Sequence, residues 1–233
     1  MSSMIADNLE HVQSQIREAE RAAGRESGSV TLLPVSKFHP VEAIREVAAR
    51  DITMVGENRE QEAREKAAKL DDACGIAMIG QIQSKKANSV ARWASEVHSL
   101  DSVKLANGLD RGMSLALERG DRTSDTLPCL IQVSADGDTS RGGITREGLD
   151  ELVAATEGAA HLRLKGFMVV PPLDAEPRAV FEELRSLTDE YSERVGRNLV
   201  LSAGMSGDFE TAIACGSDIV RVGTAVFGPR PVV

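Results

Sequence analysis

The chain has 233 residues, 42% hydrophobic, 27% charged and 3% aromatic, with a net charge of −9. That is a globular composition, long enough to bury a full core and sized for one α/β barrel over residues 1–233 rather than for two domains. The acidic excess argues against a general binder of nucleic acid or anionic membranes, and no apolar run approaches the length of a membrane-spanning helix.

Residues 5–23 read as an amphipathic helix, because Ile5, Leu9, Val12, Ile16 and Ala19 recur at spacings of three and four, and Gly24 ends it. Residues 30–35 (VTLLPV) form the first strand, apolar on both faces as a covered parallel strand must be, with Ser36 and Lys37 at its C-terminal end. Pro40 opens a helix that carries Val41, Ile44, Val47 and Ala48 on one face. The alternation then repeats. A strand at 52–55 ends in Gly56-Glu57-Asn58 and a charged helix follows to residue 70. A strand at 76–79 leads through Gly80 to a helix with Ile82, Val90 and Trp93. A strand at 97–100 precedes Asp101 and Ser102, which cap a helix running to about residue 117. After the polar stretch 119–126, which reads as a mobile insert, come a strand at 127–133, a loop at 134–143 and a helix at 146–156. The strand at 162–170 is stopped by Pro171-Pro172, and the helix after it aligns Val180, Leu184, Leu187, Tyr191 and Val195. A strand at 199–201, a helix at 208–215 stopped by Gly216, and a strand at 218–222 complete the chain.

Eight strands, nearly all followed by a helix, plus an extra N-terminal helix, predict a single (β/α)₈ TIM barrel. An open doubly wound sheet is the rival. Evenly recurring short strands and the lack of a GxGxxG after the first strand favour the barrel. Cys74, Cys129 and Cys215 are odd in number and form no CxxC, so they read as reduced, buried thiols, and the four histidines have no metal-ligand spacing. The first residues lack the basic segment and apolar core of a signal peptide, which predicts a cytoplasmic protein.

In such a barrel the strand ends share one mouth. There the sequence places Lys37, Asn58, Gly80, Gln81, Pro171 and Arg221. It also places two turns, Gly204-Met205-Ser206-Gly207 and Gly223-Thr224, that combine glycine, a hydroxyl and unpaired amides at the start of a helix. Such amides and the helix dipole suit a phosphate. A lysine desolvated near other cations becomes a nucleophile toward carbonyls. Together these fit a Schiff-base aldolase acting on a sugar phosphate, or pyridoxal 5′-phosphate (PLP). Two ordinary strand–helix turns and a solvated lysine are the plain reading.

Five segments carry a family resemblance: Leu33-Pro34-Val35-Ser36-Lys37, Gly56-Glu57-Asn58, residues 79–86 (IGQIQSKK), residues 202–208 (SAGMSGD) and residues 220–228 (VRVGTAVFG). They span nearly the whole chain and resemble the YggS/PROSC family of PLP-homeostasis proteins, which share the alanine-racemase type of barrel. The resemblance implies that Lys37 carries PLP as an internal aldimine, that Asn58 belongs to the same site, and that Ser206, Gly207, Gly223 and Thr224 hold the phosphate. It also implies that Arg221 faces the pyridine nitrogen. An arginine stays protonated, so it leaves that nitrogen unprotonated and the ring a weaker electron sink. The chain departs from the family pattern at Ala77, where a histidine is common, at Lys85 in place of an asparagine, and at Arg141 in place of a lysine.

Related racemases use a second base, a tyrosine that a second domain and a partner subunit bring to the cofactor. Here the one tyrosine, Tyr191, falls on an apolar helical stripe, and His39 serves either as a base or as a cap of the first turn. The expected function is a PLP carrier without robust turnover, which buffers the cofactor and delivers it to apo-enzymes as a monomer. The alternatives are a single-domain amino-acid racemase and the sugar-phosphate aldolase.

Overall fold

A computed structural model describes residues 3–70 and 74–230. The chain opens with helix α1 (Met4–Ala22), whose first turn is capped by the Ser3 hydroxyl accepting from the Ala6 amide. Strand and helix then alternate: β1 (Thr31–Pro34), α2 (Val41–Ala48), β2 (Met54–Glu57), α3 (Glu60–Ala67), β3 (Gly75–Met78), α4 (Ala87–Trp93), β4 (Glu96–Leu100) and α5 (Val103–Arg119). The second half continues with β5 (Leu127–Gln132), α6 (Leu149–Gly158), β6 (Leu162–Met168), α7 (Pro177–Val195), β7 (Val200–Ser202), α8 (Phe209–Ala214), β8 (Ile219–Val222) and the single turn α9 (Thr224–Phe227).

All strand pairs are parallel, in the order β1-β8-β7-β6-β5-β4-β3-β2. The ring closes between β1 and β2 through one bridge, Val35 to Gly56, where the Ser36 amide donates to the Gly56 carbonyl at 3.0 Å. The predicted barrel with its extra N-terminal helix is therefore what the chain forms. Its interior is filled by Leu33, Ala77, Leu130, Met168 and Ile219, flanked by Met54, Ile79 and Val200. The larger apolar layer lies between strands and helices and includes fully buried Phe167, Phe181, Leu105 and Leu109. Each large side chain removed from water there contributes about 1.5–3 kcal/mol.

Ala77 takes an interior place that a histidine occupies in the family pattern, and here it does nothing but pack. The three cysteines are free and buried, and burial raises each thiol above its ordinary range, as expected of inert packing residues.

Two local expectations differ. The helix predicted straight after Gly80 is delayed: a 3₁₀ turn at Ser84–Lys86 precedes α4, and Ile82 is buried from the connecting loop instead. The stretch 119–126 is not a loose insert. Arg122 donates to the Ala91 and Ala94 carbonyls at the end of α4, at 2.7 and 3.1 Å, and Asp121 pairs with Arg92. Its polar composition reflects that capping role.

Candidate functional site

At the C-terminal end of β1, strand alternation points Leu33 inward, and Ser36 turns outward toward Glu57, with Lys37 in the turn that follows. Lys37 is exposed and has no carboxylate partner among the described residues. Its amine is thus free, but it is not desolvated as the sequence reading supposed. The same alternation takes β2 from Met54 through Gly56 to Asn58, which is also exposed. Gly80 lies across Asn58 so closely that a Cβ there would collide with the Asn58 carbonyl.

The turn after β7 is folded tightly over the start of α8. Gly204 has φ +96°, and a Cβ on it would lie 2.6 Å from that of Ala212 and 2.9 Å from the Phe209 Cα. The Met205 amide donates to the Asp208 carboxylate at 2.6 Å. The next two amides, of Ser206 and Gly207, have no acceptor among the described residues and face solvent. After β8, Gly223 leads into α9, whose Thr224 and Ala225 amides are likewise unpaired among the described residues. The two turns follow neighbouring strands, so they present one set of donors.

Arg221 occupies the interior beneath them. It is 4% exposed, donates to the Ser202 hydroxyl at 2.7 Å and the Val169 carbonyl at 2.8 Å, and has no carboxylate in ion-pair contact among the described residues. Burial pulls its guanidinium down to about 10, Asp208 acting in the opposite sense, so it is still a cation at neutral pH.

The lysine's own surroundings were not legible beforehand. Ser36, immediately before it, donates through its hydroxyl to Glu57 at 2.6 Å. Lys66 reaches from α3 to the Ser36 carbonyl at 2.8 Å, Glu57 at 2.5 Å and Glu62 at 2.7 Å. The signal was present as Glu62 and Lys66 at the i, i+4 spacing of a helical ion pair, within what reads as an ordinary charged helix. Burial pushes the Glu57 carboxyl up, against the pull of Lys66 and Ser36.

The other candidates are engaged elsewhere. His39 is buried and stacked on Phe227 with ring centroids 5.3 Å apart, and burial with nearby Lys66 lowers its pKa. Tyr191 is buried against Phe167 and donates to Asp150 at 2.6 Å, and burial together with Asp150 raises its pKa to about 12. Arg141 is paired with Asp136 and Asp138 of its own loop. Lys85 is exposed, and Lys86 pairs with Glu60 at 3.4 Å. Two sizeable cavities contain none of the mouth residues: one of about 810 Å³ lies beside α3 and α4, and one of about 470 Å³ lies at the opposite end of the barrel.

Comparison with known proteins identifies the family. Residues 8–231 match the family described as alanine racemase, N-terminal domain. A pyridoxal phosphate homeostasis protein of Corynebacterium glutamicum is 53% identical over 220 residues, covering 94% of this chain and 99% of that protein. The protein of that name from Mycobacterium tuberculosis is 39% identical over 98% of this chain and 93% of its own. Among solved structures, PipY of Synechococcus elongatus with PLP bound superposes with a TM-score of 0.76 at 32% identity, covering 91% of this chain and all of PipY. The alanine racemase of Corynebacterium glutamicum, 15% identical with a TM-score of 0.67 over 97% of this chain and 62% of the enzyme, shares the fold. With residues 8–231 matching the family model and more than half of the residues identical to a relative across nearly its whole length, this chain belongs to the alanine racemase N-terminal domain family and, within it, to the pyridoxal phosphate homeostasis proteins.

Proposed function

We propose that this protein binds PLP covalently through Lys37 and acts as a carrier that buffers the cofactor and delivers it to apo-enzymes, without robust turnover of its own. The observation that carries this reading is the convergence at one barrel mouth of a free lysine amine, two adjoining turns with unpaired amides, and a buried arginine without a carboxylate. The donor set fits the group. Ser206, Gly207, Gly223 and Thr224 offer backbone and hydroxyl donors to a phosphate. Asn58 and Lys37 each lie two residues beyond the Val35–Gly56 bridge that closes the ring. PLP supplies an aldehyde that combines reversibly with amines and a ring that withdraws electrons. Arg221 presents only donors, so an aromatic nitrogen facing it accepts a hydrogen bond and takes no proton.

The names of the relatives and the PLP bound to PipY support the cofactor and the homeostasis role. Support for a carrier over a racemase comes from the two residues that could have served as a second base. Tyr191 is committed to Asp150 and Phe167, and His39 is committed to Phe227. We place the protein in the cytoplasm as a monomeric single domain spanning 1–233. Among the described residues no helix is long and apolar enough to cross a membrane.

The test is an absorbance spectrum of the purified protein before and after borohydride, with the labelled peptide mapped by mass spectrometry. A near-visible band that bleaches, with the pyridoxyl group on Lys37, is expected, and Lys37→Ala should abolish it while leaving the fold intact. A colourless protein that takes up no added PLP would overturn the proposal and favour the sugar-phosphate aldolase.

A further inference from the structure

Lys37 sits inside a turn whose geometry its own side chain does not determine. The His39 amide donates to the Ser36 carbonyl at 3.0 Å, which makes Lys37 and Phe38 the two central residues of a four-residue turn. Phe38 has φ +69°, a left-handed conformation that turns of this kind reserve for glycine or asparagine. A residue with a bulky side chain stays there only when its surroundings hold it. What holds it is the Glu62–Lys66 pair of α3. The Phe38 amide donates to Glu62 Oε1 at 2.6 Å, and Lys66 Nζ donates both to that same oxygen at 2.7 Å and to the Ser36 carbonyl at 2.8 Å. The carbonyl before Lys37 and the amide after it are therefore gripped by one ion pair. That pair is anchored in turn: Lys66 is 7% exposed and donates to Glu57 at 2.5 Å, and Glu57 also accepts from the Ser36 hydroxyl. The guanidinium groups of Arg59 and Arg230 lie over the Phe38 ring, at 5.4 and 4.3 Å from its centroid.

We infer that Glu62 and Lys66 form a positioning clamp that aims the Lys37 amine into the barrel mouth and sets how long the cofactor is retained. This rests on the reading of Lys37 as the PLP-bearing lysine. Both clamp residues act through the backbone on either side of Lys37, so they are positioning residues and not part of the cofactor's contact set. Holding a reactive group near one geometry avoids ordering it at each binding event.

The experiment compares the wild type with Glu62→Ala, Glu62→Gln and two double variants, Glu62→Ala with Phe38→Gly and Glu62→Ala with Phe38→Ala. Two quantities are read. One is amide hydrogen exchange across residues 36–40 in the PLP-free full chain. The other is the rate at which PLP-loaded protein surrenders its cofactor to excess hydroxylamine, followed by absorbance. Glu62→Ala should speed both by roughly tenfold, the scale of one charge-assisted hydrogen bond. Glu62→Gln, which keeps an acceptor but drops the charge, should fall between. The two double variants both lack the ring and the carboxylate, but only glycine enters the left-handed region without strain. Slow release should therefore return toward the wild-type value with Phe38→Gly and stay lost with Phe38→Ala. If Glu62→Ala does not fold, the same comparison is made in the Glu62→Gln background. Unchanged exchange and release, or equal behaviour of the two double variants, would overturn the clamp while leaving the carrier reading intact. Borohydride labelling that maps to a lysine other than Lys37 in the wild type would overturn both.

Discussion

At the scale of the residue, Arg221 shows what it costs to bury a charge. A guanidinium buried without a carboxylate carries a desolvation cost that two hydrogen bonds to Ser202 and Val169 only partly offset. Arg221→Lys keeps the charge but loses the fork that reaches both acceptors. It should lower unfolding free energy by about 1–3 kcal/mol, read from urea denaturation midpoints. That Lys37 and Arg221 lie at strand ends was legible in the sequence, because where a strand stops is a local property. Lys66 was not. It looked like one more solvated charge on a polar helix, and its burial became visible only once α3 was laid against the turn after β1. The desolvation expected of Lys37 failed for the same reason, since exposure at a mouth depends on how high the surrounding loops rise.

At the scale of the element, the two strand–helix turns after β7 and β8 are read as one cradle because their strands are neighbours in the ring. Ser206→Ala combined with Thr224→Val removes both hydroxyls and leaves every backbone amide in place. PLP retention should weaken, each charge-assisted hydrogen bond contributing roughly 1.5–3 kcal/mol, and equilibrium dialysis with PLP measures it. Undiminished affinity would mean that the backbone amides do nearly all the binding or that the phosphate lies elsewhere. Helix limits followed the sequence where a cap was written into it: Ser102 accepts from the Leu105 amide at the start of α5, as Asp101-Ser102 led one to expect. The late start of α4 was hidden because Ile82 fits an apolar helical stripe as well as a buried loop position, and periodicity does not distinguish the two.

At the scale of the whole molecule, eightfold alternation was the most legible feature, because each unit repeats the same hydrophobic contrast. The polar content of the barrel floor was not. Lys165 pairs with Glu96 at 2.5 Å, and Glu96 meets His98 at 2.8 Å, all inside the ring, where the sequence showed only histidines without metal-ligand spacing. Burial lowers the His98 pKa despite the pull of Glu96, with Arg221 and Lys165 pushing the same way as burial. Burial raises the Glu96 carboxyl, but His98 and Lys165 outweigh it and hold Glu96 low. In the folded protein His98 therefore binds its proton less readily than in the unfolded chain. Its contribution to stability is full above about pH 6.5 and is lost as pH falls toward the lower folded value. His39 acts in the same sense. The melting temperature should fall as pH drops from about 6.5 to 5, and His98→Gln should flatten part of that decline in a thermal scan, leaving the share due to His39.

The single bridge between β1 and β2 has a consequence for the order in which the protein is made. β1 is joined to β8 along four residues but to β2 at one bridge. The segment before it is tied to the same late region, since Asn8 donates to the Val226 carbonyl and Arg25 to the Ser217 carbonyl. The first of the eight described strands thus has its main partner in the eighth. Until β8 is synthesised, Lys37 hangs on an unpaired segment, and the turn after β8 that shares its mouth does not yet exist. A chain that has not yet reached β8 lacks both the partner that holds β1 and the turn that faces Lys37.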